Sequence, residues 1–252
     1  MFLYLDRHSI LHTLHPVTKI VALALLFALP FYSTDPLIVS AAFAFAGVVL
    51  IIARATPNLR KAILLMALLA LSSTVLWSVF APGQTKILRL GFVSVTRESL
   101  AYGLAMALRL NAVILAGLAF LSCTRIEELT WALHKIGVPY ALSFALSLAF
   151  RLVSLFFQTT HGIVQAQKAR GLDLDSGSVF SRIRKYVPLL IPVFVYGVRN
   201  VDLMAMALES RGFRATSRRT HYLAYTIRWS DYAILLLLAA LNAGAIWLRL
   251  GT

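Results

Sequence analysis

Carboxylates are scarce in this chain: ten Asp and Glu stand against 24 Lys and Arg, giving a net charge of +14. Charge of either sign is thin. Only 13% of the 252 residues carry one, against about 25% in a soluble domain, while 60% are hydrophobic. That balance excludes an ordinary soluble globule and defines an integral membrane protein. A single cysteine, Cys123, excludes an intrachain disulfide. The sequence has no Asn-x-Ser/Thr, so nothing marks it as an extracellular glycoprotein. It also has no Gly-x-x-x-x-Gly-Lys-Ser/Thr, no His-Glu-x-x-His and no Gly-x-Ser-x-Gly. It therefore supplies no phosphate-binding loop of its own, and energy for any active process must come from partner chains.

What the chain does have is long apolar runs. A bilayer-crossing helix needs about 20 largely apolar residues. Candidate spans run from Val17 to Ser33, Pro36 to Ala53, Ala62 to Phe80, Leu100 to Cys123 and Tyr232 to Leu248. The first is read as a retained membrane segment, since no convincing cleavage site follows it. Between the third and fourth, Ile87 to Val95 alternates like a short hairpin. After Thr124 the texture changes. Arg125 to Gly137 reads as an amphipathic helix, with Thr124 and Glu127 spaced as a capping box and Gly137 as its stop before Pro139. Two long segments follow, Pro139 to Arg170 and Tyr186 to Arg211, then a basic tail, Arg214 to Arg228.

Hydropathy alone would send both long segments through the membrane. Charge placement argues otherwise. Crossing would put Lys168, Arg170, Arg182, Arg184 and Lys185 on one side and Arg214, Arg218 and Arg219 on the other. If neither segment crosses fully, 14 of the 24 basic residues share the cytoplasmic face, as the positive-inside rule requires. The same rule places the Arg54–Lys61 loop and the N-terminus inside. The expected architecture is an all-α integral membrane protein. It has about five transmembrane helices plus a cytoplasmic coupling region of long helices. The divisions are 1–123 for the N-terminal membrane helices, 124–229 for the coupling region and 230–252 for a C-terminal membrane helix.

One phrase occurs twice. Ala169-Arg170-Gly171 closes the first long segment, and Ser210-Arg211-Gly212 closes the second. In each, a small residue permits close approach, and arginine offers a planar fork of donors for carboxylates or carbonyls. Glycine can take the left-handed conformation that stops a helix, so each arginine falls on a last turn, where a cation suits the helix end. A single copy would read as an ordinary cap with a solvated arginine. Two copies on one face suggest two equivalent docking points.

These motifs, with their surroundings, resemble the T component of energy-coupling factor (ECF) transporters, the family that includes the T proteins of cobalt and biotin uptake. Ser9-Ile10-Leu11-His12 through Pro16-Val17-Thr18-Lys19 is similar to an N-terminal family phrase. Arg125-Ile126-Glu127-Glu128-Leu129 through Gly137-Val138-Pro139 resembles a second, and Ala149-Phe150-Arg151 with Val187-Pro188-Leu189-Leu190 fits the stretches around the motifs. His15 stands where the family often has Asp, and Gln158-Thr159-Thr160 replaces a commonly acidic stretch.

The resemblance implies a non-catalytic scaffold in a prokaryotic cell membrane, multi-pass, with its N-terminus and coupling region cytoplasmic. Its partners would be two ABC-type ATPase subunits, a membrane S component that binds the vitamin or metal ion, and the lipid bilayer. Arg170 and Arg211 would dock the ATPases, with Ala169, Gly171, Ser210 and Gly212 shaping the contact. No cofactor, metal or nucleic acid is implied. The alternative is a self-contained membrane channel or membrane-embedded enzyme, which would need converging polar groups at membrane depth. A membrane-anchored RNA binder would need aromatics interleaved among its basic residues, and these lack them.

Other polar residues read as structural. Arg109 and Asn111 lie inside an apolar segment, where charge is costly, and internal pairing is expected for Arg109. Arg151 and Asp202 are expected to pair within the coupling helices. His8, His12 and His15 could share a helix face, but Pro16 and the lack of nearby carboxylates beyond Asp6 disfavour a metal site. Asp173-Leu174-Asp175-Ser176-Gly177 has its glycine out of register for a calcium loop and reads as a turn.

Overall fold

The computed structural model describes all residues except 1–3, 8, 34, 81–85, 91–92, 173–177, 214–224 and 251–252. His8, the Asp173–Gly177 turn and most of the basic tail therefore lie outside the described residues. Among these described residues eight α-helices follow one another: α1 (Pro16–Ala28), α2 (Pro36–Ile52), α3 (Thr56–Phe80), α4 (Arg97–Cys123), α5 (Ile126–Lys135), α6 (Tyr140–Ala169), α7 (Val179–Ser210) and α8 (Trp229–Leu250). A 3₁₀ turn, Leu29–Phe31, extends α1. Between α3 and α4, Lys86–Leu90 and Val93–Thr96 pair antiparallel, so the alternating stretch does form a hairpin. Everything else of regular structure among the described residues is helical.

The chain divides into two compact units. Residues 1–136 and 224–252 form the first, and residues 137–223 form the second. In the first unit α4 is the central helix, packed by α2 and α3. Its buried stripe is built mainly from small residues, among them Gly103, Ala105, Ala112, Ala116, Ala119 and Ser122. Ala46, Leu50, Ala53 and Ala55 meet Leu115, Ala119 and Cys123 in the largest core cluster. Small residues suit this role, because helices in lipid associate by close backbone packing and not by hydrophobic exclusion. The tightest approach is at Gly103, where a Cβ would stand 2.9 Å from the Thr74 carbonyl oxygen. Replacing Gly103 by Leu should therefore separate α3 from α4. We expect a loss of about 2–3 kcal/mol, read as a lower melting temperature in detergent.

Among the described residues five helices are long and apolar enough to cross a bilayer: α3, α4, α6, the Arg184–Ser210 part of α7, and α8. This set differs from the five spans expected above. The first two apolar helices, with 13 and 17 residues, fall short of the roughly 20 residues of a typical crossing. The reason is local. Leu29-Pro30-Phe31 tightens α1 into a 3₁₀ turn, and Pro36 restarts the chain as α2. The second long segment also begins earlier than expected. Helix α7 starts at Val179, so Arg182, Arg184 and Lys185 are helical, and Pro188 and Pro192 lie inside the helix.

The expected capping box of α5 does not form. The helix begins at Ile126 after Arg125, and the Thr124 hydroxyl is buried without a hydrogen-bond partner among the described residues. Thr124 is extended and ends α4 instead. A capping box does open α4, where the Thr96 and Ser99 side chains and backbones bond reciprocally. Gly137 stops α5 with φ +117°, as its position in the sequence suggested.

Helix α2 ends in a less comfortable way. The Arg54 and Ala55 amides donate to the Ile51 and Leu50 carbonyls, a Schellman pair, but the left-handed position is filled by Arg54 itself at φ +54°. A residue with a Cβ is strained there. Arg54→Gly should stabilise the first unit by about 0.5–1 kcal/mol after the entropy of the added glycine is counted, seen as a raised melting temperature.

Candidate helix-end docking site

The second unit is built on α6 and α7. Phe144, near the start of α6, packs against Phe213, just past the end of α7, with ring centroids 4.6 Å apart. Further along, the Phe156 ring lies 3.2 Å from where a Cβ of Gly197 would be. As one helix ascends in number the other descends, so the two run antiparallel. An open groove of about 480 Å³ beside this contact is lined by Phe156, Val193, Phe194, Val198, Val201 and Asp202. Neither helix buries much of its apolar surface: Leu142, Leu190, Ile191, Phe194 and Leu203 are all exposed.

Both helices end in the same cap. In α6 the Gly171 amide donates to the Lys168 carbonyl at 3.0 Å, and the Leu172 amide to the Gln167 carbonyl at 3.0 Å. In α7 the Gly212 amide donates to the Glu209 carbonyl at 2.9 Å, and the Phe213 amide to the Leu208 carbonyl at 3.0 Å. These are two complete Schellman motifs. Gly171 and Gly212 sit at φ +89° and +72°, and open space surrounds both, so the backbone conformation requires the glycine, not crowding. Arg170 and Arg211 are the cap residues themselves. They are exposed, as are Ala169, Gly171, Ser210 and Gly212.

Each arginine lies fourteen residues beyond the Phe156–Gly197 contact. At 1.5 Å per residue, each arm is about 21 Å long. Because the helices are antiparallel, the arms point apart, and the arginines stand about 40 Å from each other along the pair. The structure thus places the six motif residues in two equivalent settings at opposite ends of one helical hairpin.

The remaining polar candidates separate. Arg109 is buried in α4. It donates to the Pro30 carbonyl at 2.8 Å and the Ser33 carbonyl at 2.6 Å, and its guanidinium lies 5.4 Å from the Phe31 ring centre. It closes the end of the α1 turn, as a structural residue would. Arg151 and Asp202 are exposed, and neither takes part in an ion pair among the described residues, so their expected pairing is not seen. His12 is held by the Ser9 hydroxyl at 2.6 Å and the Leu5 carbonyl at 3.0 Å, while His15 Nδ1 accepts from the Val17 amide at the start of α1.

A buried polar knot in the first unit is not apparent from the sequence. The Lys19 ammonium donates to the His12 carbonyl at 3.0 Å, the Cys123 carbonyl at 2.9 Å and Glu128 Oε2 at 2.6 Å. The Asp231 carboxylate, 1% exposed, accepts from the backbone amides of His15 at 2.8 Å and Arg228 at 2.7 Å. The available signal was scarcity: Glu128 and Asp231 are two of only ten carboxylates in a chain with so much positive charge.

Together these features define a class: a multi-pass helical membrane protein that carries matched cations at two helix ends. Comparison with known proteins makes it specific. The family model described as "CbiQ: Cobalt transport protein" matches residues 7–222. The Energy-coupling factor transporter transmembrane protein EcfT of Listeria innocua is 30% identical over 98% of this chain and 96% of its own length. EcfT of Acidaminococcus fermentans is 30% identical over 88% of this chain and 87% of its own length. The chain belongs to this family, the T components of energy-coupling factor transporters. A Bifidobacterium longum protein named for ABC transporter ATP binding is also 30% identical, over 94% of this chain but only 32% of its own length.

Proposed function

We propose that the chain is a non-catalytic mechanical joint, binding two cytoplasmic ATPase subunits through Arg170 and Arg211 and a separate S component that carries the vitamin or metal ion. The carrying observation is the pair of identical Schellman caps at opposite ends of the α6–α7 hairpin, each presenting an exposed arginine. This geometry bears on topology. Were the hairpin to cross the bilayer, its two arginines would emerge on opposite sides. Two like partners in one compartment need both arginines on one face, so the hairpin lies along the cytoplasmic surface with its exposed apolar residues toward lipid and the S component. The charge distribution favours the same arrangement, with the N-terminus inside.

The Bifidobacterium relative supports ATPase partners. A protein named for ATP binding contains, in about a third of its length, a region similar to this chain. Coupling 124–229 to ATPase closure, with 1–123 and 230–252 as the membrane part, then assigns each division a task. The experiment is co-purification of the chain with its ATPases after Arg170 and Arg211 are both replaced by Ala. Undiminished capture together with undiminished uptake would reject the docking role. ATP-independent transport by the reconstituted chain alone would favour a channel.

A further inference from the structure

The second unit is an insertion in the first. The chain leaves the first unit after Ile136 and returns before Tyr225. Within the first unit these two points are neighbours: the Trp131 ring of α5 meets Tyr225 edge-on, with centroids 4.9 Å apart. Trp131 also meets His15 edge-on at 5.3 Å, and the Lys135 ammonium lies 5.5 Å from its centre. Burial and the Glu128 carboxylate together push the Tyr225 phenol above its ordinary range. In the same unit, Lys19 and Glu128 tie α5 to α1, and Asp231 ties the start of α8 to the start of α1. Both exits of the insertion therefore leave from one clamped knot, joined to three helices.

We infer that this knot is the point through which displacement of the α6–α7 unit enters the membrane helices, with Trp131 and Tyr225 as positioning residues that make both exits move as one. The inference rests on the coupling role proposed above. A chain segment can pull on a bundle only through its covalent connections and its contacts. Two independent, loose connections would let the hairpin move while α1 and α8 stayed still. A clamped pair delivers the same movement to α1, α5 and α8 at once.

The test uses the full transporter carrying Trp131→Cys with Tyr225→Cys, read as substrate taken up per ATP hydrolysed. In the reduced form the rings are gone and the exits are free, so this ratio should fall roughly tenfold, within the usual span of coupling energies, while ATPase capture and ATP hydrolysis persist. Bridging the two thiols with a short bis-thiosulfonate reagent should restore the ratio. A reduced form that couples like the parent, or a bridged form that stays uncoupled, would overturn the inference. If the double variant fails to assemble, Tyr225→Ala is read by the same ratio: a fall supports the clamp and a parental value overturns it, and Trp131→Phe should keep coupling. A purely structural role would lower assembly, hydrolysis and uptake in proportion and leave the ratio unchanged. Failure of the coupling role itself would look different, because the parent chain would then capture no ATPase.

Discussion

Replacing Arg170 and Arg211 together by Glu should cut ATPase capture at least about 100-fold and abolish uptake. Arginines that anchor an interface are among its largest single contributors, and reversing their charge adds repulsion to the loss. Either change alone should have a smaller effect. One reversed arginine leaves a second equivalent anchor, so capture should persist in part, while uptake falls about tenfold or more because both ATPases must be engaged. The chain itself should reach the membrane at parental levels. Both side chains are exposed, their removal opens no cavity, and the Schellman caps depend on Gly171 and Gly212, not on the guanidinium groups. If chain levels and ATPase capture fell together, the arginines would be structural. If neither fell, the docking role would be wrong.

Lys19→Ala should be the most destabilising single change. The ammonium has three donors, and all three are used, on two carbonyls and the Glu128 carboxylate. Removing it strands a carboxylate whose side chain is only 14% exposed, together with two carbonyl oxygens. Breaking a buried pair in this way costs about 3–5 kcal/mol, a large part of the roughly 5–15 kcal/mol that typically separates folded from unfolded. The expected readout is a steep drop in yield and melting temperature. Lys19→Met combined with Glu128→Leu should recover most of that loss, because no charge is then left unpaired. A single variant as stable as the parent would show that the pair carries little.

The sequence made helix positions plain wherever an apolar run met punctuation. Pro36, Gly137, Gly171 and Gly212 each stand where an element begins or ends. The paired caps were legible for the same reason, since a glycine after an arginine has a physical meaning that holds without tertiary contacts. What was not legible depended on partners distant in the chain. Thr124 and Glu127 have the spacing of a capping box, but spacing does not reveal that Thr124 closes the previous helix. Lys19 and Glu128 are 109 residues apart, and nothing local marks them as a pair. The antiparallel run of α6 and α7 was equally hidden, because it rests on Phe144 with Phe213 and on Phe156 with Gly197. The start of α7 was hidden because Arg182, Arg184 and Lys185 interrupt the apolar run, so its first turns read as a charged loop.

The bond from the His15 amide to Asp231 spans 216 residues and has a consequence for how the protein is made. On the ribosome α1 emerges early, yet the carboxylate that secures its N-cap residue, His15, arrives only with the last helix. Asn242 of α8, which donates to the Leu25 carbonyl of α1, arrives later still. The α6–α7 hairpin is complete before the first unit can close around α1. A nascent chain stopped just before Trp229 would hold a finished insertion attached to an unfinished bundle. Closure of the bundle is thus a late event of synthesis, and loss of α8 should leave a chain that quality-control proteases recognise by its unsecured first helix.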